Sequence, residues 1–276
     1  MRSAITADTL DKKVNQIIDM FLIAGPCVIE NDKTPYDIAK VVKPLCDELG
    51  LEFIFKASYR KANRTSIHSF TGIGDEEALQ IIKGIGEAFN VKTLTDVHES
   101  AEVSMIAHYV DVLQIPAFLC RQTALLTAAG QSGKIVNIKK GQFVSPEAMS
   151  FPVEKVKATG NHQVWICERG FTFGYENLIV DATVIPRLKK HGVPVVMDCT
   201  HALQAPNQAA GISGGNPQYI ETLALMAAAT GADGLFIETH PDPSRALSDS
   251  ATMLRLDQLQ NILDKVMRIQ KALSDG

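Results

Sequence analysis

Eight short apolar runs, each ending in polar or glycine residues, alternate with segments of helical period along the chain. That alternation predicts an α/β fold, a (β/α)8 TIM barrel. Two further observations agree. The runs are apolar almost throughout, as parallel strands covered on both faces must be, and 276 residues with 46% hydrophobic and 21% charged residues suit one large core of barrel size. In chain order the strands read FLIAGPCVIE, LEFIFKAS, VKTLTDVHE, VDVLQIPA, IVNIKKG, QVWICERG, PVVMDCTHA and GLFIETHP. PYDIAKVVKPLCDEL, DEEALQIIKGIGEAF, SAEVSMIAHY and RQTALLTAAGQSG follow the first four strands as helices. NPQYIETLALMAAATG precedes strand eight, and LRLDQLQNILDKVMRIQKAL closes the chain. The segments after VNIKK and ERGFTFGY are less cleanly periodic, so pattern alone leaves an open doubly wound sheet as the alternative. Residues 1–20 stand outside the repeat and read as an N-terminal extension, a short cap without chemistry at the bottom of the barrel; residues 21–276 read as the single barrel domain.

Composition narrows the function classes. The five cysteines form no CxxC pair, and an odd number argues against a secreted disulfide framework. A reducing cytoplasm is the expected compartment. MRSAITADTLDKKVNQIIDM has no apolar stretch of signal-peptide length, and no later run of about 20 apolar residues predicts a membrane span. A formal charge of −4, with no aromatic residues among the basic ones, lacks the footprint of a nucleic-acid binder. No low-complexity tract or shift in composition marks a linker.

One stretch runs against the net charge. FKASYRKANRTS places Lys56, Arg60, Lys61 and Arg64 directly after strand two with no acidic residue between them. Asn63, Thr65 and Ser66 add amide and hydroxyl donors suited to phosphate oxygens. A barrel gathers function at the carboxyl ends of its strands, and here those ends form a polar rim: Cys27 and Glu30, Lys56 and Ser58, Asp96 and His98, Gln114 before Pro116 and Ala117, Asn137 with Lys139 and Lys140, Glu168 and Arg169, Asp198 and His201, and Glu238 and His240. Gln114 is counted among the substrate-binding groups.

Lys56, Lys61, Lys139 and Arg169 converge as a pocket for a compact molecule with more than one negative charge, such as a phosphorylated carboxylate. The alternative is a structural network in which these cations pair with Glu30, Asp96, Glu168 and Asp198. Cys27, His201 and Glu238 belong to strands one, seven and eight, which closure of the barrel makes neighbours. Thiolate, imidazole and carboxylate favour a divalent transition ion, Zn2+, Fe2+, Mn2+ or Co2+, with Asp249 as a fourth ligand. The alternative is that Cys27 is a small buried hydrophobe, as Cys46, Cys167 and Cys199 are read to be.

From about Phe21 to Asp249, the motifs IAGPCVIE, FKASYRKANRTSIHSFTGIG, TDVHE, LQIPAFLCRQT, VNIKKGQF, CERGFTFGY, DCTHALQ and LFIETHPDP resemble the 3-deoxy-D-manno-octulosonate 8-phosphate synthase family. The resemblance implies condensation of phosphoenolpyruvate with D-arabinose 5-phosphate and water, release of inorganic phosphate, a homotetramer of (β/α)8 barrels, and a place in lipopolysaccharide synthesis. It implies that Lys56, Ser58, Lys61, Lys139 and Arg169 hold phosphoenolpyruvate, with Ala117 offering a backbone amide. Asn63, Arg64 and Thr65 match the sugar-phosphate site, and Arg121 resembles an arginine that reaches a neighbouring subunit's phosphate. Cys27 matches the metal-dependent branch, since the metal-independent branch carries asparagine there; Ser248 and Asp249 match it as well. Ser250 departs from the glycine that relatives commonly have.

In the implied chemistry the enol carbon attacks the aldehyde, water adds at the phosphate-bearing carbon, and the hemiketal phosphate expels phosphate. Lys61 and the metal would stabilise the developing alkoxide while Lys139 and Arg169 hold the departing phosphate. His201 and Asp249 both qualify to position or deprotonate the water. The nearest rival is a 3-deoxy-D-arabino-heptulosonate 7-phosphate synthase using erythrose 4-phosphate. That family reads KPRTS where this chain reads Lys61-Ala62-Asn63-Arg64-Thr65-Ser66, and the asparagine favours the longer sugar. A non-catalytic sugar-phosphate sensor would have little reason to keep both the phosphate cations and the Cys27, His201 and Glu238 set, and a structural zinc site would need four closed ligands.

Overall fold

The computed structural model describes residues 20–64, 67–173, 177–205 and 214–274. Eight parallel strands follow one another around a closed sheet: β1 Phe21–Gly25, β2 Glu52–Lys56, β3 Lys92–Asp96, β4 Val112–Ile115, β5 Ile135–Lys139, β6 Val164–Glu168, β7 Val195–Asp198 and β8 Gly234–His240. Phe21 of β1 registers with Gly234 of β8 on one side and with Glu52 of β2 on the other, which closes the ring and excludes the open sheet. Helices follow the strands in turn: α1 Lys33–Leu49, α2 Asp75–Phe89, α3 Val103–Ile106, α4 Thr123–Gln131, α5 Ser150–Lys157, α6 Val184–Lys189, α7 Ile220–Ala229 and α8 Leu259–Ser274. The expected N-terminal extension lies outside the described residues except for Met20, which is buried.

The two weakly periodic segments have a structural reason. After β5 the chain crosses Pro146 and a 3-10 turn before α5, and after β6 it makes an antiparallel hairpin, Phe171–Phe173 with Asn177–Ile179, before a helix of only six residues.

Strand pleat places the site. Successive side chains point to opposite faces, and the inward phase is occupied by Phe21, Ile23, Ile54, Leu94, Val112, Cys167, Val196 and Phe236, which pack together in the barrel's interior with Ile135 and Trp165. The outward phase, including Leu22, Phe55, Leu113, Ile138, Ile166 and Leu235, joins the larger core beneath the helices. Apolar packing on both faces is why the strands read as continuous hydrophobic runs. Continued two residues further along each strand, the inward phase turns polar: Ile54 leads to Lys56, Leu94 to Asp96, Val112 to Gln114, Cys167 to Arg169, Val196 to Asp198 and Phe236 to Glu238. On β1 it passes through Gly25 to Cys27, and on β5 through Asn137 to Lys139.

Candidate active site

These inward groups surround a cavity of about 610 Å³ at the carboxyl end of the barrel, lined in part by Lys56, Lys61, Lys139, Arg169, His201 and Glu238. The four cations expected to converge do so, and two of them are also paired. Buried Lys56 pairs with Glu238 Oε1 and donates to the Cys27 carbonyl at 2.9 Å. Lys139 Nζ donates to Asp198 Oδ2 at 2.7 Å and sits 4.0 Å from the centre of the Phe236 ring, a cation–π contact at the floor of the cavity. Arg169 Nη2 donates to the His201 carbonyl and to Gln204 Oε1, each at 2.7 Å, while its buried Nε–H has no partner among the described residues. Burial by itself would lower the Lys61 and Lys139 ammonium groups; the acidic side chains around them, Cys27, Glu238, Asp249 and Asp96, raise Lys61 instead, and Asp198 chiefly raises Lys139. Both remain protonated donors at neutral pH.

Of the network considered from sequence, the Lys139–Asp198 pair forms and the other acids are engaged differently. Glu30 accepts the Leu247 N–H at 2.6 Å, and Glu168 lies 3.5 Å from Lys140. Asp96 anchors a polar chain across four strands: Ser58 Oγ donates to its Oδ2, Gln114 Nε2 donates to its Oδ1 at 2.5 Å, and Asn137 Nδ2 donates to Gln114 Oε1 at 3.0 Å. Ser58 is fully buried and does not line the cavity, whereas Gln114 does. Burial alone would raise the Asp96 carboxyl; Lys56, Lys61 and His98 hold it well below the usual carboxylate range.

On the opposite wall, Cys27, Glu238 and Asp249 bring one ligand atom each within 4.8 Å of one another. Cys27 Sγ lies 3.0 Å from Ser248 Oγ and donates to Asp249 Oδ2 at 3.0 Å. Burial, then the charges of Asp249 and Glu238, push its thiol well above the ordinary value. His201 stands beside this trio, with Nε2 3.5 Å from Glu238 Oε2. Asp198 Oδ2 faces His201 Nδ1 at 2.8 Å, and its Oδ1 accepts the His201 backbone N–H at 2.8 Å. An ionised carboxylate can only accept, so Nδ1 carries a proton and Nε2 is the ring nitrogen that faces Glu238. Glu238 Oε2 is buried and has no hydrogen-bond partner among the described residues. An imidazole nitrogen and a carboxylate oxygen facing each other, beside a thiol and a second carboxylate, form a donor set that fits a divalent transition cation.

Asp249 has φ 47, the left-handed region that aspartate tolerates, and its carbonyl accepts from the backbone and hydroxyl of Thr252, each at 3.0 Å. Ser250 has no positive φ, so serine in place of glycine costs no backbone strain there and Asp249 keeps its position.

The loop after β2 brings Asn63 and Arg64 to the cavity. Arg64 Nε donates to the Phe70 carbonyl at 2.8 Å and Nη2 to the Leu247 carbonyl at 3.3 Å. Thr65 lies outside the described residues. Arg60 corrects the reading of an uncompensated basic stretch: it turns away to pair with Asp75 at 2.6 Å and with Glu102. Ala117 lines the cavity; Arg121 is exposed and does not. His98, counted in the polar rim from sequence, lines it too, as do Gln142 and Gln204, which were not singled out. The role of Asp198 as the group that orients His201 was likewise missed, although the spacing in DCTH carries the signal.

A closed (β/α)8 barrel whose carboxyl-end cavity joins buried, charged cations to a thiol, imidazole and carboxylate cluster defines the class: a barrel protein with a site for small anions. The chain belongs to the DAHP synthetase I family, whose sequence profile matches residues 15–275. It is similar to proteins named 2-dehydro-3-deoxyphosphooctonate aldolase from Koribacter versatilis (46% identical over 258 residues, 92% of both chains) and Syntrophotalea carbinolica (48% over 248 residues, 90% of both chains). A third, from Dichelobacter nodosus, is 47% identical over 257 residues, 93% of both chains, and carries the same name.

Proposed function

We propose that this chain condenses phosphoenolpyruvate with D-arabinose 5-phosphate and water, giving 3-deoxy-D-manno-octulosonate 8-phosphate and inorganic phosphate. The observation that carries this reading is the meeting, in one cavity, of Lys139 and Arg169, whose Nε–H has no partner among the described residues, with Glu238 and Asp249, which cluster with buried Cys27. The name borne by the relatives points to the same eight-carbon product.

Lys56, Lys61, Lys139 and Arg169 neutralise phosphoenolpyruvate, which lets two anionic substrates share a pocket. Lys139 and Arg169, held from behind by Asp198 and Gln204, receive the departing phosphate. Asn63 and Arg64 hold the sugar phosphate, with Arg64 exchanging its two carbonyl partners for phosphate oxygens. Lys61 stabilises the aldehyde oxygen as it becomes an alkoxide. Asp198 fixes the His201 tautomer so that Nε2 can take a proton from water or act as a ligand. Cys27, His201, Glu238 and Asp249 would hold a divalent transition ion, with Cys27 giving up its thiol proton on ligation. Such an ion, when bound, supplies Lewis-acid charge for the substrate carbonyl.

Self-association belongs to this reading. Phe118, Phe143, Phe171 and Phe173, on the loops after β4, β5 and β6, are all more than two-fifths exposed, and exposed Arg121 lies on the same set of loops, where it could reach a neighbour's phosphate only in an oligomer, proposed as a tetramer. All five cysteines are buried and free, which suits the proposed cytoplasmic setting. Among the described residues no helix is long and apolar enough to cross a membrane.

The test is phosphate release from phosphoenolpyruvate with arabinose 5-phosphate or erythrose 4-phosphate, each with and without a chelator. Turnover with arabinose 5-phosphate, lost on chelation and restored by Mn2+ or Co2+, is expected. Preference for erythrose 4-phosphate would move the substrate assignment to the shorter sugar, and no release with either would sink the catalytic reading. Turnover indifferent to the chelator would remove the metal.

A further inference from the structure

On the outward phase of the eight strands, facing the helices, residues are apolar or threonine except Glu168, and Lys140, one residue beyond β5, continues that phase as a second charged group. These flank the phosphate-facing pair: Lys140 directly follows Lys139, and Glu168 directly precedes Arg169. Both are 1% exposed, and neither lines the cavity. Their charged groups lie 3.5 Å apart.

The Lys140 ammonium also faces three backbone carbonyls, Gly141 and Val144 at 3.3 Å and Gly170 at 3.4 Å. Glu168 Oε1 accepts the Gly170 N–H at 2.5 Å. Both polar groups of Gly170 are therefore held by this pair. The backbone adds two cross-links between the same segments: Lys140 N–H donates to the Cys167 carbonyl at 2.8 Å and Thr172 N–H to the Gln142 carbonyl at 3.0 Å. The loop after β5 brings Gln142 into the cavity, and the turn after β6 brings Arg169.

Such a pair is not explained by stability, since replacing buried ion pairs with apolar groups is often neutral or favourable. Burial lowers the Lys140 ammonium and raises the Glu168 carboxyl, each only partly offset by the other. What the pair does provide is fixed geometry between two adjacent loops.

We propose that Lys140, together with Glu168, is a positioning residue for phosphate capture, tying the loop after β5 to the turn after β6 so that Lys139 and Arg169 stay at a fixed separation. The inference rests on the reading that Lys139 and Arg169 hold the phosphate of phosphoenolpyruvate. Misplacement of such groups by about 1 Å is enough to weaken phosphate capture roughly 10- to 100-fold.

The test uses the full chain and two probes, phosphoenolpyruvate and inorganic phosphate, with affinities measured by calorimetry. Lys140→Met should weaken both probes about 10- to 100-fold, raise KM for phosphoenolpyruvate, and leave KM for arabinose 5-phosphate nearly unchanged. Lys140→Met leaves a buried carboxylate without its partner, so Lys140→Met with Glu168→Leu is the second variant. Removing both charges should restore the urea midpoint without restoring phosphate affinity. A purely structural role predicts that both recover together. If wild-type protein binds the probes and the double variant binds them as tightly, the positioning role is overturned while the functional reading stands. If wild-type protein binds neither probe, the functional reading fails and takes this inference with it.

Discussion

Asp198 does not itself line the cavity, yet its carboxylate accepts four hydrogen bonds from the groups around it. Its Oδ1 accepts from the backbone of Thr200 at 3.1 Å and of His201 at 2.8 Å, while its Oδ2 accepts from Lys139 at 2.7 Å and from His201 Nδ1 at 2.8 Å. Burial alone would raise this carboxyl; His201 and Lys139 hold it well below the usual carboxylate range. It therefore stays ionised and sets both the tautomer of His201 and the reach of Lys139. Asp198→Asn keeps the shape but cannot accept from every donor, so kcat/KM should fall about 10- to 100-fold with the fold retained, the usual cost of losing a group that orients a ligand or a base. Nitrogen NMR of His201 should show the proton redistributed between Nδ1 and Nε2; an unchanged tautomer with full activity would remove Asp198 from the argument. At this scale the sequence showed Lys56, Asp96, Gln114, Arg169 and Glu238, because each lies two positions beyond an apolar interior residue on a strand whose end was readable. It did not show what holds those residues. Arg60 looked free because its acidic partners, Asp75 and Glu102, come from later segments, and the function of Asp198 depends on a turn that places its carboxylate against a ring three residues on.

At the scale of elements, two glycines show how differently the ends of the barrel bear substitution. Gly25 closes β1 beside Glu238, and a Cβ there would stand 2.0 Å from the Lys56 carbonyl oxygen. Gly234 opens β8 at the other end, where a Cβ would meet the Phe21 ring at 2.4 Å. Both force a shift, and overpacking of this kind costs about 1–3 kcal/mol. The consequences for function separate. Gly25→Ala pushes on the backbone that carries Lys56, so activity should fall along with stability; Gly234→Ala works at the bottom of the barrel, where changes bear on stability alone. Urea unfolding beside kcat/KM for the two variants checks this, and equal loss of activity in both would contradict it. The strands themselves were legible because apolar runs this short, bounded by polar or glycine residues, are too brief for helices. The connections after β5 and β6 were not, since a 3-10 turn and a short hairpin replace helical turns there, and neither carries the 3.6-residue repeat that marks a helix.

The whole molecule has a formal charge of −4, yet the upper barrel sets Lys56, Lys61, Lys139 and Arg169 against Asp96, Asp198, Glu238 and Asp249 in near balance. For each of these four carboxyls burial alone would raise the pKa, and the facing basic side chains lower it instead: Lys56 and Lys61 for Asp96, His201 and Lys139 for Asp198, Lys56 and His201 for Glu238, Lys61 and His201 for Asp249. Unfolded, such carboxyls titrate near pH 4. Folded, they keep their charge to lower pH, so the stability they contribute is complete above the unfolded value and is lost as pH falls through the folded values. Each tenfold gain in acidity is worth about 1.4 kcal/mol. Glu168 opposes the trend, because burial raises its carboxyl, but it is one carboxyl against four. Lys61 and Lys139, raised by their acidic neighbours, lose their contribution only as pH climbs through their folded values, above the ordinary lysine range near 10.4. Stability to urea should therefore vary little between about pH 6 and 9 and fall steeply below about pH 4. Glu238→Gln should flatten the acid limb, since one of the four depressed carboxyls is gone while Lys56 keeps an acceptor. An acid limb as steep in Glu238→Gln as in the wild type would place the pH dependence outside the cavity.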